Sequence, residues 1–183
     1  MKQKRDEYGV ILDFLPRGKP SDRRMEPIAQ VIGDRYFTLL EVVIKEGVEV
    51  KPGEKIYIGE GKWDKVKYIK GRIRYEELTN FSRNGIESIL QKIVEDEEKR
   101  FVDFFNKAMP LSARAHMLEL LPGIGKKHLW SIIKERKKKP FESFEDLRKR
   151  VEMLPDPKKM IVKRILEELE GKDRYRLFVG GLF

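Results

Sequence analysis

None of the 183 residues is cysteine. That excludes disulfide scaffolds, Cys-ligated zinc, iron–sulfur clusters and thiol nucleophiles. Histidine is nearly absent as well. His116 and His128 are the only two, and neither has a His or Cys neighbour at metal-ligand spacing, so packing or surface roles are expected of both. The chain contains no Walker loop, no G-x-S-x-G elbow, and no G-x-G-x-x-G after a strand. No apolar run approaches the ~18 residues of a membrane span. The opening eight residues carry charges with no apolar segment behind them, so no signal peptide is expected. These absences point to a soluble, cytoplasmic protein that does not act on a membrane.

What the chain has in excess is charge. Asp, Glu, Lys and Arg make up 39% of it, against roughly 25% in ordinary globular chains. Forty basic and 31 acidic residues leave a net +9, which suits an anionic partner. Both signs are plentiful, so the chain does not read as a disordered basic tail. Abundant Lys and Glu with few amides also fits a thermophilic composition. The excess is uneven: residues 1–80 carry 17 basic and 14 acidic groups, whereas residues 112–164 carry 15 and 7, a local net of +8.

Hydrophobic periodicity divides the chain. Residues 8–14, 28–32, 36–44, 55–58 and 65–75 are short β-rich runs separated by Gly- and Pro-containing turns. The last run changes phase, which predicts a bulge near Tyr68. Five strands in so short a span suit a small closed barrel, so an OB-like fold is expected for residues 1–80. From Ser82 the period becomes helical: Ile86, Ile89, Leu90, Ile93, Val94, Phe101, Phe104, Phe105 and Ala108 recur at i, i+3, i+4. Residues 81–110 are therefore read as a connecting amphipathic helix, either continuous or broken near 95–100, and ended by Pro110. Residues 111–170 are read as a helical domain with helices at about 111–121, 126–137, 143–151 and 158–170. Residues 171–183 form a tail that either docks or stays disordered. The fold class is α+β.

The segment Leu120-Leu121-Pro122-Gly123-Ile124-Gly125-Lys126-Lys127-His128-Leu129 carries the most specific signal. Two glycines let a backbone turn tightly and let an anion approach the main chain. The helix starting at Lys126 presents free N–H groups and a positive dipole end. Ile124 is expected to plug the turn from inside, while Lys126 and Lys127 add charge. All of these features address phosphate and none addresses a base edge. The segment resembles the helix–hairpin–helix motif of nucleic-acid-binding proteins. The resemblance implies backbone-phosphate contacts at Gly123, Ile124, Gly125 and Lys126, often with a monovalent cation on hairpin carbonyls. Residues 143–164 look like a degenerate second copy without its glycines, leaving Lys158 and Lys159, with Lys163 and Arg164, as ordinary cations. The competing reading is a purely structural helix–turn–helix connector.

The strand half offers a second surface. Arg17, Lys19, Arg23 and Arg24 lie in the loop after the first strand, and Lys65, Lys67, Lys70, Arg72 and Arg74 in the last. Tyr57, Trp63 and Tyr68 are interleaved with these cations, as in a base-stacking platform. Equally, Trp63 and Tyr68 can be core residues beside a lysine-protected edge. A stacking surface favours RNA or processed DNA over intact duplex.

Read over its whole length, the chain resembles the archaeal DUF655 family of predicted nucleic-acid- or RNA-binding proteins. The resemblance rests on Tyr8-Gly9-Val10-Ile11-Leu12-Asp13-Phe14-Leu15-Pro16, on Leu121-Pro122-Gly123-Ile124-Gly125, and on Asp173-Arg174-Tyr175-Arg176-Leu177-Phe178-Val179-Gly180-Gly181. It implies an OB-like front, a hairpin-bearing helical back and no established activity. Catalysis is not expected. A hairpin glycosylase needs a Gly/Pro-rich stretch and a catalytic Asp after its second helix, yet Asp146 sits in a helix-starting pattern. The densest acidic group, residues 95–98, points around a helix axis and makes a poor metal cage. The expectation is thus a non-catalytic nucleic-acid binder, RNA favoured. The alternative is a protein-interaction module of a ribosomal or repair assembly, docking through its helices and apolar tail. Glycosylase or nuclease activity ranks third.

Overall fold

Apart from Gln30 and Glu41, residues 28–33 and 39–44 are apolar on both parities, a pattern that suits a strand buried on both faces. In the computed structural model, which describes residues 4–181 and 183, β2 (Ile28–Gly33) and β3 (Leu39–Ile44) are buried at every position. They form the centre of a five-stranded antiparallel sheet with β1 (Tyr8–Leu15), β4 (Lys55–Tyr57) and β5 (Val66–Arg72), in the order β4-β1-β2-β3-β5. Ile11, Ala29, Val31, Val42 and Ile44 share one core cluster with Ile56 of β4 and Val66 of β5. Both edge strands reach the same core, so the sheet must curl. Register breaks between Ile11 and Asp13, and opposite Glu41/Val42 and Val43/Ile44, supply the coil.

The curl stops short of the expected closed barrel. Among the described residues β4 and β5 remain the two ends of the ladder, and the sheet is a half-barrel. β4 has only three residues, too few to pair with a second neighbour along a useful length. The expected bulge in the last strand is present as two register shifts, and they turn Tyr68 outward while Val66 stays in the core.

The opposite face carries a buried polar cluster. Gln30 Nε2 donates to Glu41 Oε2 at 2.9 Å, and Gln30 Oε1 accepts from the Thr79 amide at 3.0 Å and from Ser82 Oγ at 2.7 Å. Glu41 also pairs with Lys19. Because each member is satisfied, the cluster can sit in the interior and fix where α1 (Asn80–Asp96) begins. The tail belongs to this same compact unit, which comprises residues 1–89 and 169–182. Leu177 and Phe178 are fully buried and the Gly180 amide donates to Tyr36 O at 2.8 Å, so the tail docks.

The second unit comprises residues 90–168 and 183. The helical run breaks at Glu97, and α2 (Glu98–Lys107) buries Phe101, Val102, Phe104 and Phe105. α3 (Lys126–Lys138), α4 (Phe144–Arg150) and α5 (Pro157–Leu169) follow. One expected helix is missing. Residues 111–121 hold only a 3₁₀ turn, Met117–Leu120. Pro110 bridges to His116, Leu111 and Ser112 both donate to Ala115 O, and Ser112 Oγ accepts from the Arg114 amide, so the loop closes on itself before a helix can start. His116 then caps the short turn, with its Nδ1 accepting from the Leu118 amide at 3.1 Å. No helix among the described residues is long and apolar enough to cross a membrane.

Candidate nucleic-acid interface

The turn from Leu121 to Gly125 is built by three local facts. Gly123 has φ +95°, a conformation that favours glycine. Ile124 is buried, and its amide donates to Leu121 O at 3.2 Å, which locks the turn from inside. Gly125 is the N-cap of α3, with extended backbone and no side chain to accept from the helix. The first helical amides, from Lys126 to His128, therefore have neither an intrahelical acceptor nor a capping side chain. A Cβ built on Gly125 would meet nothing within 4 Å, so open space lies before these donors. Lys126 and Lys127 are both exposed there, and Lys126 Nζ reaches Glu119 at 3.0 Å.

The second turn packs beside the first and differs at the decisive position. A Cβ on Gly123 would lie 3.4 Å from Pro155 Cγ and 3.6 Å from Met160 Sδ, and His128 Nε2 donates to Met153 O at 3.2 Å. Where the first turn has Gly125, the second has Asp156. Its carboxylate accepts from the Lys158 amide at 3.0 Å, so α5 carries its own anion. Lys158 pairs with Glu95, and this hydrogen bond raises its pKa above the ordinary lysine value. Lys159 is exposed. Arg164, expected as a surface cation, is instead buried against Glu168, with Nε to Oε2 at 2.8 Å, and it donates to Leu120 O at 3.3 Å. The reason is that α5 turns this face into the core of the unit. Leu120 O thus accepts from Arg164, Leu121 O from Ile124 and Gly125 O from Leu129, which ties both ends of the turn to the helices around it.

On the sheet, Arg23, Arg24, Lys67 and Arg72 are all exposed. Arg72 lines a cavity of about 310 Å³ with Lys4 and Arg5. Other members of the expected platform have protein partners. Trp63 packs on the core and its indole N–H donates to Gly59 O at 2.6 Å. Tyr68 donates to Glu26, which raises the phenol's pKa, and Lys70 pairs with Asp22 at 3.1 Å. Lys19 is held by Glu41. These contacts fasten the loop after β1 along β5.

Asp146 is likewise engaged. It accepts from the Glu142 amide at 3.0 Å and from Arg150 at 3.2 Å, which hold its carboxyl below the usual range, the backbone donor contributing most.

Three stretches give the chain its signature: β1, the Leu121–Gly125 turn and the docked tail. The profile of a family described as proteins of unknown function, DUF655, matches residues 5–180. The chain belongs to the DUF655 family. A curated relative, the uncharacterized protein MJ0038 of Methanocaldococcus jannaschii, is 44% identical over 179 residues, covering 97% of this chain and 81% of its own. The crystal structure of Af1531 from Archaeoglobus fulgidus, also DUF655, superposes with a TM-score of 0.87 at 46% identity, covering 95% of this chain and 99% of that one.

Within this DUF655 fold, sequence reasoning overlooked the surroundings of the turn. A cavity of about 460 Å³ beside Lys126 is lined by residues that include Arg114, His116, Leu129, Trp130 and Ile133. The signal was available. The inward positions of α3 are Leu129 and Ile132, which sends Trp130 outward, four residues from Lys126.

Proposed function

We propose that this DUF655 protein binds nucleic acid, RNA in preference to DNA, without acting chemically on it. The second unit works as a shortened helix–hairpin–helix whose first helix is reduced to a 3₁₀ turn. The half-barrel works as an OB-like basic surface. A backbone phosphate is held by the amides at the start of α3, with Lys126 and Lys127 beside it.

The observation that carries this reading is the contrast between the two turns. Gly125 leaves the α3 amides uncapped with open space before them. Asp156 fills the equivalent place on α5. An uncapped helix start flanked by lysines favours an anion, whereas a carboxylate cap already supplies one. The local net charge of +8 over residues 112–164 supports the same ligand class. Lys159, Arg23, Arg24, Lys67 and Arg72 add exposed charge without a defined geometry. Lys126 and Lys158 each share a glutamate, Glu119 and Glu95, but Lys126 is 66% exposed and Lys158 only 27%, so Lys126 is the better placed of the two.

The test is fluorescence anisotropy of labelled single-stranded RNA, duplex RNA and duplex DNA over a series of salt concentrations. Micromolar or tighter binding that weakens steeply with salt is expected, with single-stranded RNA tightest. Failure of all three to bind at low salt overturns the proposal. The protein-docking alternative loses its apolar tail as a docking element, because Leu177 and Phe178 are already buried in the first unit.

A further inference from the structure

We propose that the cavity beside the turn receives one unstacked nucleobase of the bound strand, sandwiched against Trp130. The inference rests on the phosphate-binding reading above and adds a recognition element to it. Trp130 is 64% exposed, an unusual cost for so large an apolar side chain. It lies one helical turn from Lys126, ~6 Å along the axis, a distance that the sugar and base of a single nucleotide span. A phosphate at the α3 amides thus delivers its own base to the indole face.

The cavity is suited to that guest. Its volume, about 460 Å³, falls within the ~300–1,000 Å³ of small-molecule sites. Leu129, Ile133 and Ala113 supply apolar wall, and Arg114 stands at its margin with an exposed guanidinium. His116 is buried to within 6% and lines the same cavity. Its Nδ1 accepts from the Leu118 amide, which makes Nε2 the protonated nitrogen of the neutral ring. That donor has no partner among the described residues, and a base edge offers it an acceptor. The larger cavity in this unit, about 520 Å³, is a poorer host. Glu95, Glu98, Glu145 and Asp156 line it together with Arg148, Lys149 and Lys158, so a polyanion meets as much repulsion as attraction.

The experiment compares a fluorescein-labelled 12-nucleotide uridine RNA with an abasic ribose-phosphate strand of the same length, both at low salt. The two carry equal phosphate charge and differ only in their bases. Trp130→Ala should weaken the uridine strand roughly tenfold and leave the abasic strand unchanged, with Trp130→Phe recovering most of the loss. In a Trp63→Phe background, the uridine strand should quench Trp130 fluorescence and the abasic strand should not. Because Trp130 is exposed, the thermal midpoint of Trp130→Ala should match the parent, which separates stacking from packing.

Equal binding of both strands by parent and Trp130→Ala overturns the base slot while the phosphate turn stands. An equal loss on both strands also overturns it, since the indole would then act without a base. If neither strand binds, the phosphate reading itself fails and the slot goes with it.

Discussion

Gly125 and Asp156 occupy matching positions at the starts of two helices, and the difference between them is one carboxylate. Gly125→Asp should therefore stabilise the protein by about 0.5 kcal/mol, through a cap and a favourable dipole contact. The same substitution should abolish phosphate binding, because it installs an anion where the ligand's anion would sit. Opposite signs in a urea titration and an anisotropy titration of one variant would be hard to obtain from a merely structural turn. Gly123→Ala should lose about 1 kcal/mol or more, since φ +95° is strained for any side chain.

His116 makes a separate residue-scale prediction. Burial, followed by the nearby Arg136 charge, lowers its pKa from the ordinary 6.5. A base whose native pKa is depressed contributes full stability above its unfolded pKa. Stability should therefore hold above pH 6.5, decline as pH falls below it, and level off once the native pKa is passed. His116→Asn keeps an acceptor for the Leu118 amide and cannot titrate, so melting curves from pH 7.5 to 5 should be flatter for that variant.

At the scale of elements, the helical unit is held by side chains that bridge helix ends. Arg150 donates to Glu135 O and Lys139 O, both at 2.6 Å, and stacks on Phe141 at 4.5 Å, joining α3 to α4. Arg164 and Glu168 do the same for α5 and the residue before the turn. Both are almost wholly buried, so removing one charge strands the other. Glu168→Gln should cost about 3 kcal/mol in chemical denaturation. Sequence reasoning placed α3, α4 and α5 because their periodicity and caps are local. Ser143 Oγ accepts from the Asp146 amide at 2.9 Å, as the Pro140-Phe141-Glu142-Ser143 pattern suggests. It misplaced residues 111–121 because their apolar spacing also fits a helix. The decision between helix and loop lay with Ser112 and Ala115, whose local bonds compete with the helical ladder.

For the whole molecule, the last stretch of chain returns to the unit formed by the first. Leu177 and Phe178 are fully buried there, each worth about 2 kcal/mol of apolar burial. Deleting residues 171–183 should thus destabilise the half-barrel by several kcal/mol, which a shift in its urea midpoint would reveal. Binding by a site that engages about three phosphates of a single strand should give a log–log salt slope near −2. A much steeper slope would mean that more cations than those of the turn neutralise phosphate.

Composition and spacing alone determined the α+β division, the strand and helix positions with strong periodicity, and the glycine turn. All of these depend on residues close in sequence, where propensity, caps and alternation act. Tertiary structure decided which of the many cations remain available. Lys19, Lys70, Lys158 and Arg164 read like Lys127 in the sequence, yet each finds a carboxylate far along the chain or across a helical turn. It also exposed Trp130 while burying Trp63, because which face of an element meets the core is set by what packs against it. Charge pairing and burial are properties of neighbours in space, and a single chain written in one dimension does not contain them.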